Sequence, residues 1–221
     1  MPKVVFKLDK EKALYNLWET CNQDSSYGHD FKKHLNKTTR DICEGKDYQK
    51  VKKELYKKWR DLFSSKLVTI ALKSANETWR EINNEYFKRL EKIMNKPIYT
   101  NSFTGYITFS GRCPYYLKEN SFAFNFFSPI SSFLQTAGHE IMHLQFHNTY
   151  WKEVEEKIGN RKTSDLKEAL TVLLNLEFKD LWFVQDMGYD MHKELRDFIS
   201  KQWKKKKDFN ILLDKCIKHL K

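Results

Sequence analysis

The stretch Thr136-Ala-Gly-His-Glu-Ile-Met-His-Leu-Gln-Phe-His147 constrains this chain more than any other. Residues four apart on a helix share a face one turn apart, so His139 and His143 point the same way and could grip one metal ion. Glu140 sits about 100° round the helix, close enough to reach a water on that ion without ligating it, as a general base must. Seven His and 16 Glu among 221 residues would give the spacing H-E-x-x-H by accident in about 1–2% of shuffled chains. Pro129, Ser131 and Ser132 offer a helix start, and no Pro or Gly interrupts His139 to Lys157. Phe133, Leu134, Ala137, Ile141 and Leu144 share one face, and Met142 and Phe146 cover a flank. A helix apolar on most sides is buried, and a buried His-Glu-His trio needs partners to offset desolvation. The plainer alternative is a helix with two hydrogen-bonded core histidines.

A second helix is expected from Ser164 or Asp165. Its body, 168–176, is apolar except for Glu168, Thr171 and Asn175 at i, i+3 and i+7, one polar stripe on an otherwise buried surface. Zinc requires a third protein ligand, and this is the form one would take: Glu168 on the metal, Thr171 or Asn175 orienting a ligand, Ala169 permitting close helix approach. Alternatively Glu168 closes a capping box with Asp165. His147 lies about 6 Å of rise beyond His143 and competes as a ligand. A single straight helix does not readily place three residues tetrahedrally round one ion, so a hydrogen-bonded rim residue is expected there.

His139-Glu-Ile-Met-His143, followed after 24 residues by Glu168-Ala169, resembles the zincin metallopeptidases of the gluzincin branch, whose third ligand is a Glu on the next helix. Gly138 and a preceding strand fit the same pattern, and the likeness covers about residues 104–178. The metzincin pattern fits less well, because Leu-Gln-Phe-His147 follows His143 where x-x-G-x-x-H would be required. The resemblance implies a Zn2+ cofactor held by His139, His143 and Glu168, and peptide-bond hydrolysis with Glu140 as proton carrier. An oxyanion donor is implied as well, usually Tyr or His in such a site. Tyr189 and His192, after Gly188, are the candidates, with Tyr106 and Tyr115 as rivals. Thermolysin-like enzymes carry an Asp four residues after the Glu ligand; here that position is Val172, so support for the histidines must come from elsewhere.

From Asp9 to about Asn95 the apolar spacing is helical, as in Val51, Leu55, Trp59 and Leu62, or Trp79, Ile82, Tyr86, Leu90 and Ile93. Residues 106–110 and 121–127 alternate as strands, with 111–120 as the turn between them. Strand 121–127 either exposes an edge that could bind an extended peptide or is fully paired in the core. Two amphipathic helices fill 192–221. The expected architecture is a helix-rich α+β fold: a helical lobe over 1–97 with a short N-terminal strand, then a zincin-like core over 98–221. Its small sheet should be mainly antiparallel, and the two parts could form one compact unit.

The net charge of +11 invites a nucleic-acid partner. Yet 33 of the 40 basic residues are Lys, spread over nearly every segment, which fits solvated helix faces better than a binding stripe. Four scattered cysteines without a C-x-x-C pair argue against a zinc ribbon and a disulfide framework. No stretch reaches 18 apolar residues and the opening lacks a signal peptide's apolar run, so a cytoplasmic protein without membrane contact is expected. The expectation is therefore a zinc-dependent peptidase acting on a peptide or protein. A non-proteolytic zincin-like binding or sensor protein and a basic nucleic-acid-associated protein are the alternatives, and the oligomeric state stays open.

Overall fold

The computed structural model describes residues 1–24 and 27–221. Strand β1 (Lys3–Lys7) leads into four helices, α1 (Lys10–Asn22), α2 (Lys37–Cys43), α3 (Tyr48–Phe63) and α4 (Lys66–Met94). Side-chain caps start each of them: Asp9, Asn36, Asp47 and Ser65 accept backbone N–H groups of the first turn, supplying partners that the helix itself lacks there. Helix α4 runs 29 residues, about 43 Å at 1.5 Å per residue. Trp79, Tyr86, Leu90 and Ile93 are buried on one side of it, as their spacing predicts. It ends at Asn95, whose φ of 50° turns the chain in a left-handed conformation.

The second half adds β2 (Ser102–Thr108), β3 (Tyr115–Tyr116) and β4 (Ser121–Asn125), then α5 (Ile130–Thr149), α6 (Trp151–Ile158), α7 (Asn160–Leu170), α8 (Val172–Glu177) and α9 (Lys179–Trp182). Helices α10 (Lys193–Lys205) and α11 (Phe209–Leu220) close the chain. The helix-rich α+β class holds, but the sheet is mixed. Its order is β1-β2-β4-β3, with β1, β2 and β4 parallel and only β3 antiparallel. The expected hairpin between 106–110 and 121–127 is absent: the chain passes from β2 across to the far side of β4, forms β3 there and returns through Asn120, at φ 48°. Helices covering the sheet explain the parallel sense, since β2 and β4 are buried along almost their whole length. Gly105 in β2 is squeezed between aromatic rings, where a Cβ would lie 2.5 Å from Phe6 and 3.2 Å from Phe122.

β4 is interior over its first three residues, with β3 and the Pro114 carbonyl on its outer flank. An extended peptide therefore cannot add to that part of 121–127. At the other margin Asn76 of α4 bonds both the N–H and the carbonyl of Phe6, at 3.0 and 2.9 Å, covering the β1 edge. One continuous cluster of buried side chains draws on both 1–97 and 98–221. The polar stretch 152–163 is mostly helical, its chain reversing at Gly159 with φ 79°. The helix expected from Ser164 starts earlier, at Asn160, and breaks at Thr171, which makes α7 and α8 two pieces. No helix among the described residues is long and apolar enough to cross a membrane.

Candidate metal centre

Helix α5 is buried along its middle, and Gly138 allows this. A Cβ there would lie 2.8 Å from the Trp182 ring and 3.1 Å from Tyr86, while the Gly138 carbonyl accepts a 2.6 Å hydrogen bond from the Tyr86 hydroxyl. Helices α4 and α9 thus brace α5 one residue before His139. The rings of His139 and His143 then stand side by side, centroids 4.3 Å apart. Helix α7 delivers Glu168 opposite them, its Oε2 lying 3.2 Å from His143 Nε2 and 3.7 Å from His139 Nε2.

The donor set suits a small divalent cation. Ligand atoms at about 2.1 Å in a tetrahedron are separated by about 3.4 Å, and the two distances to Glu168 bracket that value. All three candidate ligand atoms lie within 4.8 Å of one another. His139 Nδ1 is in short contact with Asp186 Oδ2, which fixes the ring and leaves Nε2 facing the pocket. His143 Nδ1 is buried with no protein partner among the described residues.

Asp186, the acid in contact with His139, comes from the loop before α10. Asn175 of α8 clamps its backbone with a pair of bonds at 2.7 and 2.8 Å. Gln135 donates to Oδ2 at 3.0 Å, and the buried Arg196 guanidinium lies 3.1 Å from Oδ1. Arg196 also donates to the Asp186 carbonyl and, at 2.8 Å, to the Thr171 hydroxyl, which itself bonds the Glu168 carbonyl at 2.7 Å. The polar stripe Glu168, Thr171 and Asn175 therefore converges on one network. Thr171 and Asn175 act through Arg196 and Asp186 and touch neither histidine ring. Gly188, at φ 62°, lets the loop close over Arg196, where a Cβ would meet the guanidinium at 2.8 Å.

Electrostatics follow from burial and these pairs. Burial pushes the Glu140 carboxyl up to about 8. It pushes His143 down to about 3. At His139 burial acts against the charged form, but the Asp186 charge and hydrogen bond outweigh it and hold the imidazole well above its ordinary value. Asp186 goes the other way, down to about 2, because His139 and Arg196 overcome its desolvation. Glu168 is likewise held below the usual carboxylate range by His143, His139 and Lys167, against burial.

Two cavities of about 260 and 220 Å³ meet at His139, Glu140 and Tyr189. Tyr189 lines both, its ring stacked on Tyr27 with centroids 4.5 Å apart. His192 does not line either cavity; it is buried and bonds Asp165 at 3.0 Å. Asp165 lies inside α7 rather than at its start, which removes the capping-box alternative for Glu168. Tyr115 lines the second cavity, its hydroxyl 2.8 Å from His147 Nε2 and 3.0 Å from Lys167 Nζ. His147 lines neither cavity; it is stacked on Trp151 at 3.9 Å and held down to about 4, chiefly by burial. Tyr106 lines neither cavity and lies under Lys7 and Lys12. Sequence reasoning missed Asp186, Arg196 and Lys167; the unpartnered stripe at Thr171 and Asn175 was the one signal that further polar residues had to arrive here. No family model matches the chain, and neither a curated protein nor a solved structure is found similar to it.

Proposed function

We propose that the chain is a zinc-dependent peptidase of gluzincin type, with His139, His143 and Glu168 as the metal ligands. The observation that carries this reading is the meeting of those three side chains, from two helices, with Glu140 on the adjacent cavity wall. Zinc in such a site supplies Lewis acidity towards a substrate carbonyl and towards water. The remaining work belongs to the protein. Glu140, on the cavity wall beside His139, accepts a proton from water and hands it to the leaving amine. Asp186 holds His139 in one tautomer and one orientation. Tyr189 faces the same space and can donate its hydroxyl to the oxygen that gains charge.

The test combines metal analysis with cleavage of a peptide library by the wild type and by Glu140→Gln. One zinc per chain is expected in both proteins, together with a fall in cleavage of about 10²–10⁴-fold in the variant, the usual worth of a positioned acid–base group. A wild type that holds one zinc and cuts no peptide would refute the peptidase reading and favour a binding or sensor role.

A further inference from the structure

Lys167 is one of 33 lysines in the chain, but its side chain is only 5% exposed. Lysine is almost never fully buried unless paired, and this one is paired inside the candidate metal centre. Its Nζ lies 2.7 Å from Glu168 Oε1 and 3.0 Å from the Tyr115 hydroxyl, with the Tyr115 ring centroid 4.7 Å away. The other oxygen of the same carboxylate, Oε2, is the one that faces His139 and His143. The two oxygens of Glu168 therefore have different tasks.

We propose that Lys167 is a positioning residue of the metal site: it ties down Oε1 of Glu168, so that a divalent cation is offered Oε2 alone, and it keeps the pocket assembled when no cation is bound. This rests on the metal-site reading given above. Assembly follows from charge, because a buried carboxylate needs a fixed cation beside it. Lys167 supplies one that does not depend on metal. The same charge opposes the incoming dication. Nζ is hydrogen-bonded to the very carboxylate that would ligate, well inside the roughly 8–10 Å over which salt screens exposed charges, and both side chains are buried, 5% and 9% exposed. Repulsion at that range outweighs the loss of orientation when the ammonium is removed. Lys167 thus trades metal affinity for a site that stands ready and binds through one carboxylate oxygen.

The experiment uses the full chain with zinc alone: zinc-edge X-ray absorption of the wild type, and zinc titrations and melting curves for wild type, Lys167→Met and Lys205→Met. Lys205 is exposed on α10 and controls for net charge. The wild type should show one carboxylate oxygen on one zinc. Lys167→Met should bind zinc at least about tenfold more tightly, melt lower than the wild type when zinc-free, and show two carboxylate oxygens. Lys205→Met should change none of these. If the Lys167→Met chain is unfolded without zinc and folds on its addition, its affinity also carries the cost of folding, and the absorption spectrum decides in place of affinity: two carboxylate oxygens on its zinc support the proposal and one overturns it. It is also overturned if Glu168 binds through both oxygens in the wild type, or if a Lys167→Met chain folded without zinc binds zinc no more tightly than the wild type. Failure of the wild type to bind zinc at all would instead remove the metal site, and this inference with it.

Discussion

Asp186→Asn separates an orienting role for this residue from a merely space-filling one. Asp186 Oδ2 accepts from His139 and, at 3.0 Å, from Gln135, while Oδ1 faces the Arg196 guanidinium at 3.1 Å. An amide has the same shape but one donor end. If its nitrogen takes the Oδ1 position, it confronts Arg196; if it takes the Oδ2 position, it confronts His139 and Gln135. Either orientation sets donor against donor at about 3 Å. Loss of a partner that orients a metal-binding histidine costs about 10–100-fold in metal affinity, or about 1.4–2.7 kcal/mol. Breaking a buried pair costs about 3–5 kcal/mol of stability. The lower end applies, because Arg196 keeps the Thr171 hydroxyl and the Asp186 carbonyl. For a chain of this size about 3 kcal/mol is about 6–12 °C in melting temperature. Competition titration against a chromophoric chelator measures the first quantity, and thermal unfolding with and without zinc measures the second. Zinc affinity within about threefold of the wild type, with the loss of stability present, would refute the orienting role.

Two further outcomes follow from the same geometry. Gly138→Ala places a methyl 2.8 Å from Trp182 and 3.1 Å from Tyr86 and should cost about 1–3 kcal/mol of overpacking, read as a lower urea midpoint; an unchanged midpoint would show that Trp182 yields freely. His147 titrates at about 4 when folded against an ordinary 6.5. Between those values the unfolded chain holds the extra proton, so stability falls as pH drops from 6.5 towards 4. His147→Gln should make that fall shallower in denaturant titrations across the window, and an identical slope would dismiss the assignment.

The helices of this fold are written in apolar spacing, which is why the faces of α3, α4, α10 and α11 can be read from sequence alone. Strand direction is not. The alternation of 106–110 and 121–127 says that each segment is extended and half apolar, and the same alternation serves either sense of pairing. The ten residues between them fit a hairpin loop, yet they also suffice to carry the chain past β4 and lay Tyr115–Tyr116 on its far edge. What decides between the two is burial of both sheet faces by α1, α4 and α5, and that is a property of the assembled molecule. The break at Thr171 escaped for a similar reason: its hydroxyl bonds the Glu168 carbonyl and receives Arg196, a partner 25 residues away that no local pattern announces.

The candidate centre divides along the same line. His139, Glu140 and His143 lie within five residues of one helix, and Glu168 lies on another whose apolar run makes a lone acid conspicuous. Asp186 sits in a loop between Phe183, with φ 57°, and Gly188, with φ 62°, where nothing repeats and an Asp resembles any other loop acid. Lys167 was hidden by composition, since a chain with 33 lysines gives no reason to single out one. Periodic elements announce the residues that would touch the ion, whereas those that would fix its geometry and set its affinity come from a loop and a commonplace charge. The acid that bonds His139 thus comes from the α9–α10 loop, with Asn175 and Arg196 as its anchors. Affinity for zinc should therefore respond to changes at Asp186 and at Arg196, which together fix the His139 ring, and zinc titrations that neither variant moves would refute that role.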